Sequence, residues 1–361
     1  MRGKQRILTL VFALLAMQLG SLISPAYACG CGAMVTDPST RFGVDRETSV
    51  VHWDGRTEQI VMRFTVGGNA PRAAWIMPVP SRATVELGDH RLFSDLYRRT
   101  RPELRTRHYF WPRWRDLPFA GNTDGASAGA PPMAAAPPVG VVGRERLGAF
   151  DVARLTATDP EALRGWLEAN GFELPDRLAT EVKPYVEQKW EYVAVRLAPK
   201  EQGQTLGGTL DPLKIRFASD RLVYPMRLSR LAKSPQSLGL YVLAEHRMEP
   251  KNGIGGAAPE VTFAGTVEPE EPESPLAALT GGKPAFLTAV EQYFPEPSRI
   301  NGDHELTATA EDTPYRRAIY RDRLLKVGGF PAWLLTVTGV AVAGLATFVT
   351  VRVRRRAAAA A

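Results

Sequence analysis

The chain has 361 residues, with 45 Lys and Arg against 38 Asp and Glu, a net charge of +7, and two cysteines. A basic total invites a nucleic-acid partner. However, Arg2, Lys4 and Arg6 at one end and Arg352, Arg354, Arg355 and Arg356 at the other account for the whole excess, so the stretch between them is neutral and no nucleic-acid binding is expected. Two cysteines exclude a disulfide framework, and the roughly 300 residues between the ends suffice to fold on a hydrophobic core instead.

Residues 1–28 read as a secretory signal peptide: a basic start, an apolar stretch from Ile7 to Leu19, and the small-x-small sequence Ala26-Tyr27-Ala28. The mature chain then opens Cys29-Gly30-Cys31. One Gly between two thiols in an oxidising compartment permits a small ring, so a local Cys29–Cys31 disulfide is expected ahead of intermolecular pairing, redox chemistry, metal binding or acylation of Cys29.

Residues 29–117 read as an N-terminal β-rich lobe. Ser49 to Trp53 and Arg56 to Val66 flank Asp54-Gly55, which predicts a two-residue type I′ hairpin pairing Trp53 with Arg56 and placing Val51, Trp53, Ile60, Met62 and Phe64 on one core face. His52 falls on the other face with Gln59 and Arg63. A strand over Ala73 to Val79 follows, then a helix from His90 to Thr100 with Leu92, Phe93 and Leu96 at helical spacing.

Residues 118–140 hold a Pro/Ala/Gly-rich stretch, read as a loop. Residues 141–267 read as a central α+β lobe. Its strands are expected near Ala149 to Leu155, Tyr192 to Leu197, Leu213 to Phe217, Leu222 to Leu228, Gly239 to Glu245 and Val261 to Val267. Its helices are a strongly signalled one from Thr158 to Gly171 and a second over Pro175 to Lys189 that Pro184 interrupts. Residues 268–327, opening Glu268-Pro269-Glu270-Glu271-Pro272-Glu273, read as an acidic linker and helical stalk. The fold class expected is α+β: a strand-rich ectodomain with inserted helices, plus one C-terminal transmembrane helix.

That last helix is expected over 328–351, an uncharged apolar run followed by the Arg-rich tail 352–361. About 20 apolar residues cross a bilayer, and the signal peptide sets the topology: type I, ectodomain extracytoplasmic, tail cytoplasmic. Arg316, Arg317, Arg321, Arg323 and Lys326 crowd the outer flank of the run.

Motifs with catalytic names lack their context. Gly125-Ala126-Ser127-Ala128-Gly129 spells GxSxG with no strand before it and no helix after it, and Gly253-Ile254-Gly255-Gly256 reads as a turn rather than a phosphate cradle. No metal-ligand spacing is present, and the histidines His52, His90, His108, His246 and His304 are scattered. No catalytic, cofactor-binding or metal residue is assigned.

The CGCG start, VVHWDGRTEQIVMRF, WIMPVPSRATVELGD, TATDPEALRGWLEANGFELP, LDPLKIRFASDRLVYPMRL and the terminal apolar run together resemble the bacterial Domain of Unknown Function 2330 family. The resemblance implies an exported, membrane-tethered protein and brings no catalytic residue with it.

From Arg91 to Asp116 the chain carries eight Arg against Asp95, Glu103 and Asp116, interleaved with Tyr97, Tyr109, Phe110, Trp111 and Trp114. Guanidinium pairs with phosphate or carboxylate while rings supply contact area, so this segment is the candidate contact for an anionic envelope polymer or lipid head groups. Arg98 and Arg99 sit near a helix end, where cations are favoured anyway. Arg105 and Arg107 are therefore the candidate contact residues. The functional reading is a membrane-anchored extracytoplasmic protein acting as a non-enzymatic binding or structural module, without a cofactor. The alternative is an envelope hydrolase or thiol redox protein.

Overall fold

The computed structural model describes residues 31–37, 39–40, 42–116, 146–147, 150–155, 160–199 and 204–360. The signal peptide, Cys29, the stretch 118–140 and the GxSxG tract lie outside them. The chain divides into two compact units, 1–101 with 140–317 and 102–139 with 318–361.

Strands are numbered along the chain: β1 (Ala33–Thr36), β2 (Phe42–Trp53), β3 (Thr57–Gly68), β4 (Ala73–Val79), β5 (Thr84–Leu87), β6 (Glu103–Tyr109) and β7 (Arg146–Leu147). Next come β8 (Phe150–Leu155), β9 (Glu191–Leu197), β10 (Gly208–Thr209), β11 (Leu213–Ala218), β12 (Leu222–Tyr224), β13 (Gln236–Ala244) and β14 (Met248–Pro250). The last are β15 (Glu260–Val267), β16 (Ala285–Phe294), β17 (His304–Ala308), β18 (Tyr315–Arg316), β19 (Ala318–Leu324), β20 (Lys326–Val327) and β21 (Phe330–Pro331).

The first unit is layered. A nine-stranded sheet runs β18-β15-β16-β13-β2-β3-β11-β5 with β10 also on β3, and a five-stranded sheet runs β1-β4-β9-β8-β7. Because side chains alternate across a strand, Trp75 and Met77 of β4 point to one face and Ala74 and Ile76 to the other. Trp75 and Met77 meet Ile60, Met62 and Phe64 of β3 and Ile215 of β11 in one cluster between the sheets, with the Phe64 and Trp75 rings edge-on at 5.4 Å. Ala74 and Ile76 instead pack under Leu163, Leu167, Leu178 and Tyr185 from the helical segments over residues 160–187. On the outer face of the larger sheet, Val50, Val61 and Leu287 are covered by Leu92, Phe93 and Leu96 of the helix His90–Arg99 and by Leu276 and Leu279 of the helix Pro275–Thr280. The order is helix, sheet, sheet, helix. A strand buried on both faces needs a continuous apolar run, and AAWIMPV in β4 supplies one that is buried throughout.

Three expectations change here. The hairpin pairs Trp53 with Glu58 and Val51 with Ile60, two residues later than a two-residue turn would give. The Asp54 carboxylate accepts the backbone N–H groups of Arg56 and Thr57 at 3.0 and 2.7 Å and so builds a wider loop, with only Gly55 of the turn at positive φ. A shift of two keeps side-chain parity, so Val51, Ile60, Met62 and Phe64 do share the core face. Residues 268–327 are not a helical stalk: apart from the six-residue helix Pro275–Thr280 and a short 3-10 turn they hold strands, and β16 sits inside the nine-stranded sheet between β15 and β13. Its sequence AFLTAVEQYF puts apolar residues on both faces with polar ones at its end, the mark of a central strand rather than a solvated helix. Finally, the boundary expected near residue 140 divides no sheet, because β4 pairs with β9, and β3 with β11.

In the second unit, β6 and β19 pair in parallel, Glu103 opposite Ala318 through Tyr109 opposite Leu324. Leu325 N–H donates to Tyr109 O, and the short hairpin β20–β21 turns through Gly328 and Gly329, both at positive φ. The terminal helix starts at Ala332, four residues inside the apolar run, and is held to the ribbon end by Ala332 N–H on Leu325 O at 2.9 Å. Residues Ala332–Ala358 are long and apolar enough to cross a membrane, and none of their apolar window is covered by the other described residues.

Candidate binding surfaces

Where the nine-stranded sheet ends, the β2–β3 turn, β11, the end of β13, β17 and the segment after the helix Pro275–Thr280 enclose a groove of about 1110 Å3. Its floor is apolar, with Trp53, Leu222, Met248, Leu279 and Leu306. Its rim is charged, with Arg216, Arg221, Glu245, His246 and Lys283. Trp53 is fixed by its indole N–H donating to Ser219 O at 3.2 Å. Gln59 joins the sheet to the helix, since its amide nitrogen donates to Leu279 O at 3.3 Å and stands 3.3 Å from His52 Nδ1. Burial holds His52 below the ordinary histidine range, and the nearby Asp54 carboxylate partly opposes this.

At the groove rim His246 Nδ1 lies 3.0 Å from Asp312 Oδ2, while Asp312 Oδ1 accepts Arg247 N–H at 2.7 Å. The Asp312 bond raises the His246 pKa, and the Arg247 and His246 bonds lower that of Asp312. A histidine oriented at Nδ1 by a carboxylate keeps Nε2 available for proton transfer. His90 Nε2 lies within hydrogen-bond distance of Asp211 Oδ1, at 3.0 Å, at the partly exposed start of its helix. His304 is buried, and its Nε2 lies 2.8 Å from Gln292 Oε1. Gln292 is itself oriented by donating to Gly255 O and Ala257 O, so His304 Nε2 carries the hydrogen. Burial lowers the His304 pKa to about 4.

Two carboxyl groups lie inside the sheets. Glu47 receives the Tyr224 hydroxyl and Ser49 Oγ, and it hydrogen-bonds to Cys31, whose Sγ lies 3.6 Å from Met62 Sδ. Burial raises the Glu47 pKa against those bonds. Glu58, wholly buried, accepts Val223 N–H on Oε2 at 3.2 Å, while Oε1 meets no donor or acceptor among the described residues. Burial raises its pKa well above the ordinary carboxylate value, against the single opposing bond from Val223 N–H. Of the two candidate disulfide cysteines, Cys31 is thus a core residue, and Cys29 lies outside the described residues. Among the described residues no three His, Cys, Asp or Glu side chains converge as a metal site would require.

The ribbon of the second unit carries the other sequence-derived candidates. Arg105 donates to Glu103 at 2.8 Å, and Arg107 grips Asp322 through Nε and Nη2 at 2.8 and 3.2 Å. Arg113 adds a third contact to Asp322 at 2.8 Å and stacks its guanidinium 4.2 Å from the Tyr109 ring centroid. The Arg107 and Arg113 bonds hold the Asp322 carboxyl down at about 2. Both candidate arginines are exposed, and both are already matched by a carboxylate. Asp322 is the residue that sequence reasoning missed, because nothing local links it to a segment more than 200 positions earlier. The groove was equally invisible, being assembled from five separated stretches.

The family described as uncharacterized protein conserved in bacteria (DUF2330) matches residues 25–307. No curated protein matches the chain. Among solved structures, the crystal structure of baculovirus P35 is similar over 74% of this chain and 97% of that one, at 9% identity and a TM-score of 0.34, a likeness too small to carry fold or function across. With 25–307 matched, the chain belongs to the DUF2330 family of uncharacterized bacterial proteins.

Proposed function

We propose that this chain is a single-pass, type I membrane protein whose first unit acts outside the cytoplasm as a non-enzymatic binding or structural module. The observation that carries the reading is the terminal helix. Val340, Val342, Leu345 and Phe348 are all exposed, no described residue covers the apolar window of the helix, and Arg352, Arg354, Arg355 and Arg356 follow its apolar run; hydrocarbon is the solvent such a surface requires. The groove supports a binding role: an apolar floor under a rim of both charge signs suits an extended amphiphilic ligand better than a nucleic acid. Contact of Arg105 and Arg107 with an anionic envelope component is part of this reading. The local Cys29–Cys31 disulfide belongs to it as well.

A second reading, an extracytoplasmic hydrolase, is favoured by His246 and Asp312 beside the groove. Assays of the purified chain against chromogenic esters, phosphoesters and glycosides separate the two. Turnover that His246→Ala abolishes without lowering the melting temperature supports the hydrolase, and no turnover supports the module.

A further inference from the structure

We propose that the ribbon of β6 and β19 with its β20–β21 hairpin is a membrane-surface foot, in which Arg321, Arg323 and Lys326 hold anionic phospholipid head groups around the protein's own span while Trp111, Trp114 and Phe330 seat in the interface. This rests on the reading of the terminal helix as a span.

Parallel pairing sorts the ribbon's side chains by face. Arg105, Arg107 and Tyr109 share a face with Tyr320 and Asp322, and on that face the charges are paired. Leu104 and His108 share the opposite face with Ile319, Arg321 and Arg323. There Arg321 and Arg323 form no ion pair among the described residues, and Leu104 and Ile319 are exposed. A two-stranded sheet exposed on both faces is marginal by itself in water, so this ribbon gains from a surface to lie against.

Position identifies the surface. The ribbon end at Tyr109 and Leu324 is tied through Leu325 to Ala332, the first residue of the span. At about 3.3 Å per residue Arg323 lies about 7 Å from Leu325 and Arg321 about 13 Å, so long arginine side chains reach the head-group layer from both. Lys326 sits in the hairpin itself. Trp111, Trp114 and Phe330 are 65%, 76% and 62% exposed at this junction, an arrangement costly in water and favoured at the membrane interface, where such rings concentrate.

The test uses the full mature chain in nanodiscs, with hydrogen exchange read over residues 103–116 and 318–327. Exchange should slow by at least about fivefold in discs containing phosphatidylglycerol relative to phosphatidylcholine alone, the factor one engaged cation supplies. Arg321→Gln/Arg323→Gln/Lys326→Gln should remove that difference, and Arg177→Gln/Lys183→Gln, which neutralises two exposed cations of the first unit, should keep it. Equal exchange of the parent protein in both lipids, a comparison that needs no variant, overturns the proposal. So does retention of the difference in the triple variant. If soluble polyglycerol phosphate slows exchange in neutral discs as strongly as the anionic lipid does, the partner is a polymer and the lipid proposal falls. Alkaline carbonate extraction separates the two failures: release of the chain refutes the span itself, whereas an integral chain without lipid dependence refutes only the foot.

Discussion

Arg107 and Asp322 stand directly opposite each other in neighbouring parallel strands, and the guanidinium meets the carboxylate through two of its nitrogens although the residues are 215 positions apart. This pair, with Arg113 on the same carboxylate, joins an early segment of the chain to the strand that leads into the terminal helix. Bidentate arginine contacts fix geometry more than they add stability at an exposed site, so the pair's role is to set the register of the ribbon.

Asp322→Asn should therefore fray the ribbon. Hydrogen exchange over Glu103–Tyr109 should accelerate, while exchange in β4 and β16 stays at the parental rate. Unchanged exchange in β6 would show that the backbone ladder alone holds the register.

Glu58 makes a pH-dependent prediction of opposite sign to the usual carboxylate. Its pKa is raised by burial, so the neutral group is tolerated at low pH and folding loses stability as the pH climbs from the ordinary carboxylate range towards the raised value. Glu58→Gln keeps the acceptor for Val223 N–H and removes the titration. The variant should melt several degrees higher than the parent at pH 8 and close to it at pH 4.5. A constant difference across that range would contradict the assignment.

Much of the first unit was legible in the sequence, and the reason is local. β4 and the helix His90–Arg99 announce themselves through a continuous apolar run and through Leu92, Phe93 and Leu96, and side-chain parity survives a turn whose length was misjudged. What failed depended on distant partners. AFLTAVEQYF cannot show that β13 and β15 flank it, and the acidic, proline-punctuated start at Glu268 disguised the strand behind it. The candidate surfaces were least legible. Arg105 and Arg107 were chosen because no helix end accounts for them, and their partners are Glu103 across the face of one strand and Asp322 on another.

His304 should make the fold sensitive to mild acid. Its folded pKa of about 4 lies below the ordinary histidine value, so the stability of its neutral form is complete above about pH 6.5 and is lost as the pH falls through 4, by about 3 kcal/mol in all. Urea unfolding between pH 7 and 4 should show this loss, and His304→Asn, though weaker at pH 7, should show a flatter profile. Equal slopes would place the acid sensitivity elsewhere.

The proposed Cys29–Cys31 ring has a direct assay. Because Cys31 is buried against Met62, alkylation must be carried out in denaturant. Intact mass should then show two added groups only after reduction. Two groups added without reduction would reject the disulfide.

The central claim is that the folded units lie outside the membrane on a single C-terminal span. Protease shaving of intact, wall-stripped cells expressing the full chain, read with an antibody to the tail and one to β16, tests it most directly. The account predicts loss of the β16 epitope, with a membrane-embedded fragment of the terminal helix and tail remaining. Survival of the β16 epitope on cells whose exposed control proteins are digested would contradict it.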